Sequence, residues 1–207
     1  MSEQLKLLYG TGNPAKLQAM REALSPLNLE IIGLADMDRK PPEVPENGNN
    51  PLENACEKAM AYYRFYGVPV FSCDSGLYFD NFPDEQWPGI HVRNIGGKRL
   101  SDSEMIIYYA LKAREYGGKL TARYKNAICL VLSENEIHKS MDESLWGEPF
   151  YIVGKPHEKR VEGFPLDGLS VDIATGEYYF DLPKKVESAM NEGFRGFFEN
   201  ALKEKLL

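Results

Sequence analysis

An α/β fold built on a mixed sheet is what this chain's pattern predicts, and three observations predict it. A short apolar run, Leu5–Tyr9, passes at once into a segment with helical spacing. The longest strand signal, "KLTARYKNAICLVLS" over residues 119–133, comes only after two more helical stretches. Strand-like and helix-like segments then mix without strict alternation, which argues against an all-parallel series of βαβ units.

The elements follow in order. Leu5–Tyr9 reads as the first strand. Pro14–Leu24 reads as a helix, with Leu17, Met20, Ala23 and Leu24 on one face, Asn13 as N-cap and Pro14 in the first helical position. Leu29–Leu34 is a second strand, and "DMDRKPPEVPENGNNP" (36–51) is a polar, proline-rich loop too long to be a mere connector. Pro51–Tyr66 is a helix, and "VPVFSC" (68–73) is a buried strand that ends at Asp74. Residues 77–100 look irregular. Ser101–Tyr116 is a helix with Ser101 and Glu104 in capping-box spacing. After the long strand at 119–133, "EPFYIVGK" (148–155) gives another, and residues 183–206 close the chain as helix. No repeat or low-complexity linker interrupts this order.

The composition bounds the function. With 207 residues, 43% hydrophobic and 27% charged, the chain has enough apolar mass for a real core. The net charge of −7 argues against a nucleic-acid partner, because phosphate backbones are held by clustered Lys and Arg. An anionic ligand would need a few local cations, or a metal held by acidic side chains. The three cysteines, Cys56, Cys73 and Cys129, form neither a CxxC pair nor a disulfide framework, which suits a reducing compartment. The chain runs straight into a strand without a signal-peptide core, and no apolar run is long enough to cross a bilayer. The expectation is a soluble, cytoplasmic protein with no membrane partner.

Three clusters carry candidate chemistry. Gly10-Thr11-Gly12-Asn13-Pro14-Ala15 fits G-x-G-x-x-A after a strand, a dinucleotide-binding signal. The acid expected about 20 positions later is Glu30, which falls at the start of the second strand rather than its end. Pro14 and Lys16 suit another use: a helix N-terminus offering N–H groups, a hydroxyl, an amide and an ammonium to a phosphate. A plain β–α turn accounts for the stretch equally well, and a Walker A loop is excluded because no Gly-Lys-Ser/Thr follows. In "PENGNNPLENACEKA" (45–59), Glu46 lies on the loop, and Asn54 and Lys58, four apart, share a helix face. Taken alone, this cluster is a solvated first turn with acids near the helix N-terminus. In "VFSCDSGLYFD" (70–80) an apolar strand delivers Asp74 to a loop with Ser75 and Gly76, a common place for a metal ligand or base. Downstream, "WPGIHVR" (87–93) sets Arg93 after a Pro-Gly turn.

Together the clusters form an ordered pattern: T-x-N-x-x-K, E-x-G with E-N-A-x-x-K-A, D-S-G-L, then P-G-x-x-x-R. This pattern closely resembles the inosine triphosphate pyrophosphatase family, enzymes that clear non-standard purine nucleotides such as ITP, XTP and dITP. The resemblance covers residues 7–93 well and continues more faintly through "RYKNAICLVLS", "EGFPLD" and the final helix. It implies one domain over residues 1–207, with an elongated mixed sheet, flanking helices and two lobes around a cleft, commonly as a homodimer. It implies Mg²⁺-dependent hydrolysis of a nucleoside triphosphate to the monophosphate and pyrophosphate. Thr11, Gly12, Asn13 and Lys16 would bind the triphosphate, with Ser75 also in the substrate site. Glu46 and Asp74 would hold Mg²⁺, Asp74 would also activate the attacking water, and Lys58 and Arg93 would neutralise phosphate charge. The catalytic set is then Asp74, Lys16 and Lys58. Phe164 and Asp167 match the family's G-F-G-[YW]-D segment, which frames the base, and Arg195 stands for the arginine of its S-H-R.

The chain departs from the family in places. Cys73 replaces the first of two acids, Gly193-Phe194 replaces Ser-His, and Ala189 replaces a lysine for which Lys184 or Lys185 would substitute. The altered base-reading half suggests weakened base selection, whereas aspartate at position 73 should be tolerated. His91, His138 and His157 have no metal-site spacing. The aromatic "AYYRFYG" (61–67) is either a dimer surface or core. Two other readings stay open: an NAD(P)-binding oxidoreductase using the G-x-G-x-x-A turn, and an inactive nucleotide-binding module.

Overall fold

A computed structural model describes residues 4–80, 82–83, 87–183 and 188–205. Lys184 and Lys185, the proposed lysine substitutes, lie outside these residues.

The first strand, β1 (Leu5–Tyr9), runs parallel to β2 (Leu29–Gly33) along its length and parallel to β3 (Val70–Phe79) at Leu8 and Tyr9. The long β6 (Lys119–Ser133) pairs antiparallel with β7 (Glu136–Ser140) and with β8 (Phe150–Val153), and β8 pairs with β9 (Ser170–Asp172). The strand order is β2-β1-β3-β6-β8-β9, with β7 on β6, so the sheet is mixed as expected. Two short strands, β4 (Asn94–Ile95) and β5 (Lys98–Arg99), form a separate hairpin inside the stretch that looks irregular in the sequence. Four helices complete the elements: α1 (Pro14–Ala23), α2 (Pro51–Tyr66), α3 (Asp102–Glu115) and α4 (Ala189–Ala201).

By contacts the chain divides into two compact units. The first comprises Met1–Ser75, Lys125–Trp146 and Glu187–Leu207; the second comprises Gly76–Tyr124 and Gly147–Val186. Strand alternation builds the first unit's two cores. Leu7, Tyr9, Phe71, Cys73, Ile128 and Leu130 face Met20, Leu24, Phe194 and Phe198 of the α1 and α4 segments. Leu8, Val70, Cys129 and Val131 face Ala55, Ala59 and Tyr62 of α2. The aromatic run at the end of α2 is therefore core on one side. Tyr62 is buried, while the Arg39 guanidinium lies 4.3 Å from the Phe65 ring. The second unit has its own core, in which Met105, Tyr109 and Ala113 of α3 pack against Leu120, Ala122, Phe150 and Ile152.

Two boundaries and two strands differ from the sequence expectation. β3 continues to Phe79, so Asp74 sits inside a strand and not at its end. The strands β7 and β9 are too short and polar to read from alternation alone. The last helix starts at Ala189, where the Ser188 side chain accepts from Asn191 N, six residues beyond the expected start.

Candidate active site

At the end of β1 the chain turns at Gly10, and the turn has a steric cause. A Cβ on Gly10 would lie 2.4 Å from Ser72 Oγ and 2.6 Å from the Tyr62 ring, so only glycine lets β1 close on β3 and α2 here. Gly12 carries no such demand, because a Cβ there meets nothing within 4 Å. Thr11 Oγ1 accepts from Asn13 N at 3.2 Å, and Asn13 Oδ1 accepts from Ala15 N at 2.9 Å and Lys16 N at 3.4 Å. Asn13 is thus the N-cap foreseen in the sequence. Two of the amides expected to meet an anion are already capped by it, so anion recognition at this end falls to side chains more than to the backbone.

Lys16 stands in the first turn of α1 among Asp74, Lys58, Cys73 and Glu46. Its burial pulls the ammonium below the usual lysine range, Asp74 opposes this and Lys58 adds to it. Among the described residues no carboxylate forms an ion pair with it.

Helix α2 supplies the next groups. Asn50 caps it by accepting from Glu53 N at 3.0 Å, with Pro51 at the first position. The Glu53 carboxylate accepts from Asn49 N at 2.8 Å and from Asn50 Nδ2 at 2.9 Å, and these bonds hold it below the usual range. Glu53 therefore has the capping role read for this cluster, whereas Asn54 and Lys58 turn inward. Asn54, 1% exposed, donates from Nδ2 to Asp74 Oδ2 at 3.0 Å and accepts at Oδ1 from Gly48 N at 2.8 Å. One turn on, Lys58 Nζ donates to Asp74 Oδ1 at 3.2 Å and to Glu46 Oε1 at 3.1 Å. Burial pulls the Lys58 ammonium down, but Asp74 and Glu46 outweigh it and the net shift is upward. The Lys58 and Asp74 side chains are each 12% exposed and Glu46 is 52% exposed, so one end of the cluster faces solvent.

Cys73 and Asp74 are neighbours on opposite faces of β3. The Cys73 thiol lies in the core beside Tyr9, and burial pushes it up to about 12. It is a packed thiol, and its burial weighs against the expectation that aspartate would be tolerated there. Ser75 follows Asp74 at the edge of the unit, half-buried. Arg195 donates from Nη1 to the Ala23 carbonyl at 3.2 Å, at the C-terminal end of α1, where a cation offsets the helix dipole.

In the second unit Arg93 donates to the Leu100 carbonyl at 3.1 Å and pairs with Asp102 at 2.7 Å. Asp102 also accepts from Gly163 N at 3.1 Å, joining the Arg93 turn to the segment that carries Phe164 and Asp167. Burial raises the Asp102 carboxyl, yet the Gly163 amide and Arg93 together hold it below its ordinary value. Phe164 precedes a short 3-10 turn, Pro165–Leu169, that holds Asp167. Burial pushes the Asp167 carboxyl up to about 6, with Tyr124 near it.

The sequence-predicted residues thus fall into two groups. Thr11, Gly12, Asn13, Lys16, Glu46, Lys58, Asp74, Ser75 and Arg195 belong to the first unit, and Arg93, Phe164 and Asp167 to the second. Within the first, the structure brings Lys16, Glu46, Lys58 and Asp74 together. Asn54, which the sequence pairs with Lys58 by spacing but gives no role, is the residue missed. The oxidoreductase reading loses its acid: Glu30 lies opposite Lys6 in the β1–β2 register and pairs with it at 3.1 Å at the start of the strand.

Glu46 and Asp74 both reach one cation, the Lys58 ammonium, so their carboxylates converge and fit a divalent ion. Among the described residues no third His, Cys, Asp or Glu joins them. Two carboxylates with open positions suit a hard divalent ion that keeps waters and phosphate oxygens among its ligands.

Comparison with known proteins places the chain in a family. The dITP/XTP pyrophosphatase of Thermus thermophilus is 34% identical over 119 residues, covering 58% of this chain and 55% of that protein. The dITP/XTP pyrophosphatase of an Exiguobacterium species is 30% identical over 173 residues, covering 76% of this chain and 85% of that protein. The matched region thus spans little more than half the length of the Thermus relative. Among solved structures, a HAM1 protein from Coxiella burnetii superposes with a TM-score of 0.70 at 21% identity, over 97% of this chain and 98% of that one. The Staphylococcus aureus Ham1 protein gives 0.69 at 18% identity, over 97% and 99%. These two likenesses support the fold. Residues 7–172 match the Ham1 family, which is most of the chain, and the chain belongs to that family.

Proposed function

We propose that this protein is a Mg²⁺-dependent nucleoside triphosphate pyrophosphatase acting on non-standard purine nucleotides (ITP, XTP and dITP), yielding the monophosphate and pyrophosphate. The observation that carries the reading is Lys58 held between Glu46 and Asp74 at 3.1 and 3.2 Å, with Lys16 close by and outside any ion pair among the described residues. Two carboxylates that share one cation, next to a second ammonium, make a site for a metal-bound polyanion on a protein of net charge −7. The names of the relatives support the same substrate class.

In this reading Glu46 and Asp74 hold the Mg²⁺, which when bound offsets the charge of the triphosphate. Asp74 accepts the proton of the attacking water. Lys16, Thr11, Gly12 and Asn13 hold phosphate oxygens, with Ser75 beside them, and Lys58 and Arg93 offset charge on the departing pyrophosphate. Phe164, Asp167 and Arg195 frame the base. We also read the enzyme as a cytoplasmic homodimer with no nucleic-acid partner. Free Cys56, Cys73 and Cys129 support a reducing compartment. Ile107 and Leu111, one turn apart and 60% and 50% exposed on α3, support an apolar contact between copies.

The test is product analysis on ITP, XTP and dITP with Mg²⁺. Pyrophosphate and IMP in equal amounts support the proposal. Orthophosphate and IDP, or no turnover on any of the three nucleotides, would overturn it and favour an inactive nucleotide-binding module.

A further inference from the structure

We propose that Asn54 is a positioning residue that fastens the Glu46 loop to Asp74, so that the two metal-binding carboxylates are held as a pair. The inference rests on the metal site proposed above and adds a residue that touches neither nucleotide nor metal. Its amide orientation is fixed by chemistry. The Asp74 carboxylate can only accept, so it takes the Nδ2–H at 3.0 Å; the Gly48 N–H can only donate, so it meets Oδ1 at 2.8 Å. Both groups of one buried amide are thereby used, one on the strand and one on the loop.

The loop is pressed onto this amide. A Cβ on Gly48 would lie 2.7 Å from Asn54 Oδ1, 2.7 Å from Glu53 Cβ and 2.9 Å from Asn54 N, so glycine is what permits the approach. Glu46 is two residues from Gly48, and its carboxylate shares Lys58 with Asp74. Lys58 alone does not define that geometry, because an ammonium on a flexible stem accepts many partner positions. Asn54 grips Asp74 Oδ2, which leaves Oδ1 as the oxygen turned toward Lys58 and Glu46. Partners that orient a ligand in this way commonly contribute 10–100-fold to metal affinity or activity.

The experiment is Mn²⁺ binding, followed by electron paramagnetic resonance without nucleotide, on the full chain and on Asn54→Ala and Gly48→Ala. The expected result is a Kd for Mn²⁺ raised about 10–100-fold in Asn54→Ala. Gly48→Ala should shift the same way by less, and the Mg²⁺ concentration for half-maximal pyrophosphate release should rise in parallel. A merely structural role lowers the folded fraction but leaves the Kd of the folded molecules alone. If Asn54→Ala does not fold, Gly48→Ala decides. Wild-type Mn²⁺ binding with unchanged affinity in the folded variants overturns the role of Asn54 and leaves the metal site standing. No Mn²⁺ binding by the wild type overturns the Glu46–Asp74 pair, and the positioning role with it.

Discussion

At the residue scale, the chemistry rests on what surrounds Asp74. Both of its oxygens are occupied, one by the Asn54 amide and one by the Lys58 ammonium, so the carboxylate is held in one orientation before any ligand arrives. Asp74→Asn keeps the size but removes the charge, and should lower turnover at least a hundredfold, about 2.7 kcal/mol in barrier, with a native circular dichroism spectrum. A fall of less than tenfold would show that another group is the base. Cys73 behaves in the opposite way. Its thiol is core, so Cys73→Asp buries a carboxyl beside Tyr9 and Phe71 and should cost about 2–3 kcal/mol, read as a lower denaturation midpoint. An unchanged midpoint would show that Lys16 compensates the new charge. The motif spacing made Lys16, Glu46, Lys58 and Asp74 legible in the sequence. The burial of Cys73 was not legible, because a motif gives order along the chain, while strand alternation decides which face a residue meets.

At the scale of elements, α4 shows how two glycines of one helix differ. A Cβ on Gly193 would lie 2.0 Å from the Ser144 carbonyl oxygen, whereas a Cβ on Gly196 meets nothing within 4 Å. Gly193 is thus where the helix lies against the 3-10 turn Glu143–Leu145. Gly196→Ala should stabilise by up to about 1 kcal/mol through helix propensity. Gly193→Ala should instead destabilise by about 1–3 kcal/mol as overpacking exceeds the same propensity gain. Thermal denaturation of the two variants reads both, and equal midpoints would remove Gly193 as a packing contact. Gly193, where the resemblance implies a serine, therefore has a packing cause. Nothing in the sequence marked it, since the turn it meets lies some fifty residues upstream and has no periodicity. The N-caps at Asn13, Asn50, Ser101 and Ser188 bound the helices in the structure, and those at Asn13 and Ser101 were legible because capping is local chemistry.

At the scale of the whole molecule, each unit builds its own core, and the second holds a buried carboxyl that titrates. In the second unit, burial lifts Asp167 to about 6. Between about pH 4 and 6 the unfolded chain releases this proton while the folded unit keeps it, so stability falls as pH rises through that window and the penalty is complete above it. Asp167→Asn should therefore be more stable than the parent at pH 7, by about 3 kcal/mol, and equal to it below pH 4. Parallel denaturation curves at all pH values would show that Asp167 is not strained by burial. The mixed sheet and most of its strands could be read from apolar runs. Two lobes followed from the family resemblance, but the boundaries of the two units could not be read, because they cut β3 and β6 in mid-strand, where the sequence carries no break.

The central claim is a hydrolase that reads a 6-oxo purine. Such a base presents an acceptor at position 6 and a donor at N1, and adenine reverses both, so a pocket built for the first leaves buried groups unpaired against the second. Pro165 lacks an N–H and Gly193-Phe194 lacks the family's histidine, so the margin should be narrower than the roughly 10⁴-fold that a full donor set can give. The most direct measurement is kcat/KM for pyrophosphate release from ITP and from ATP at one Mg²⁺ concentration. The account predicts a clear preference for ITP, about 10- to 1,000-fold. Equal values, or a preference for ATP, would contradict it.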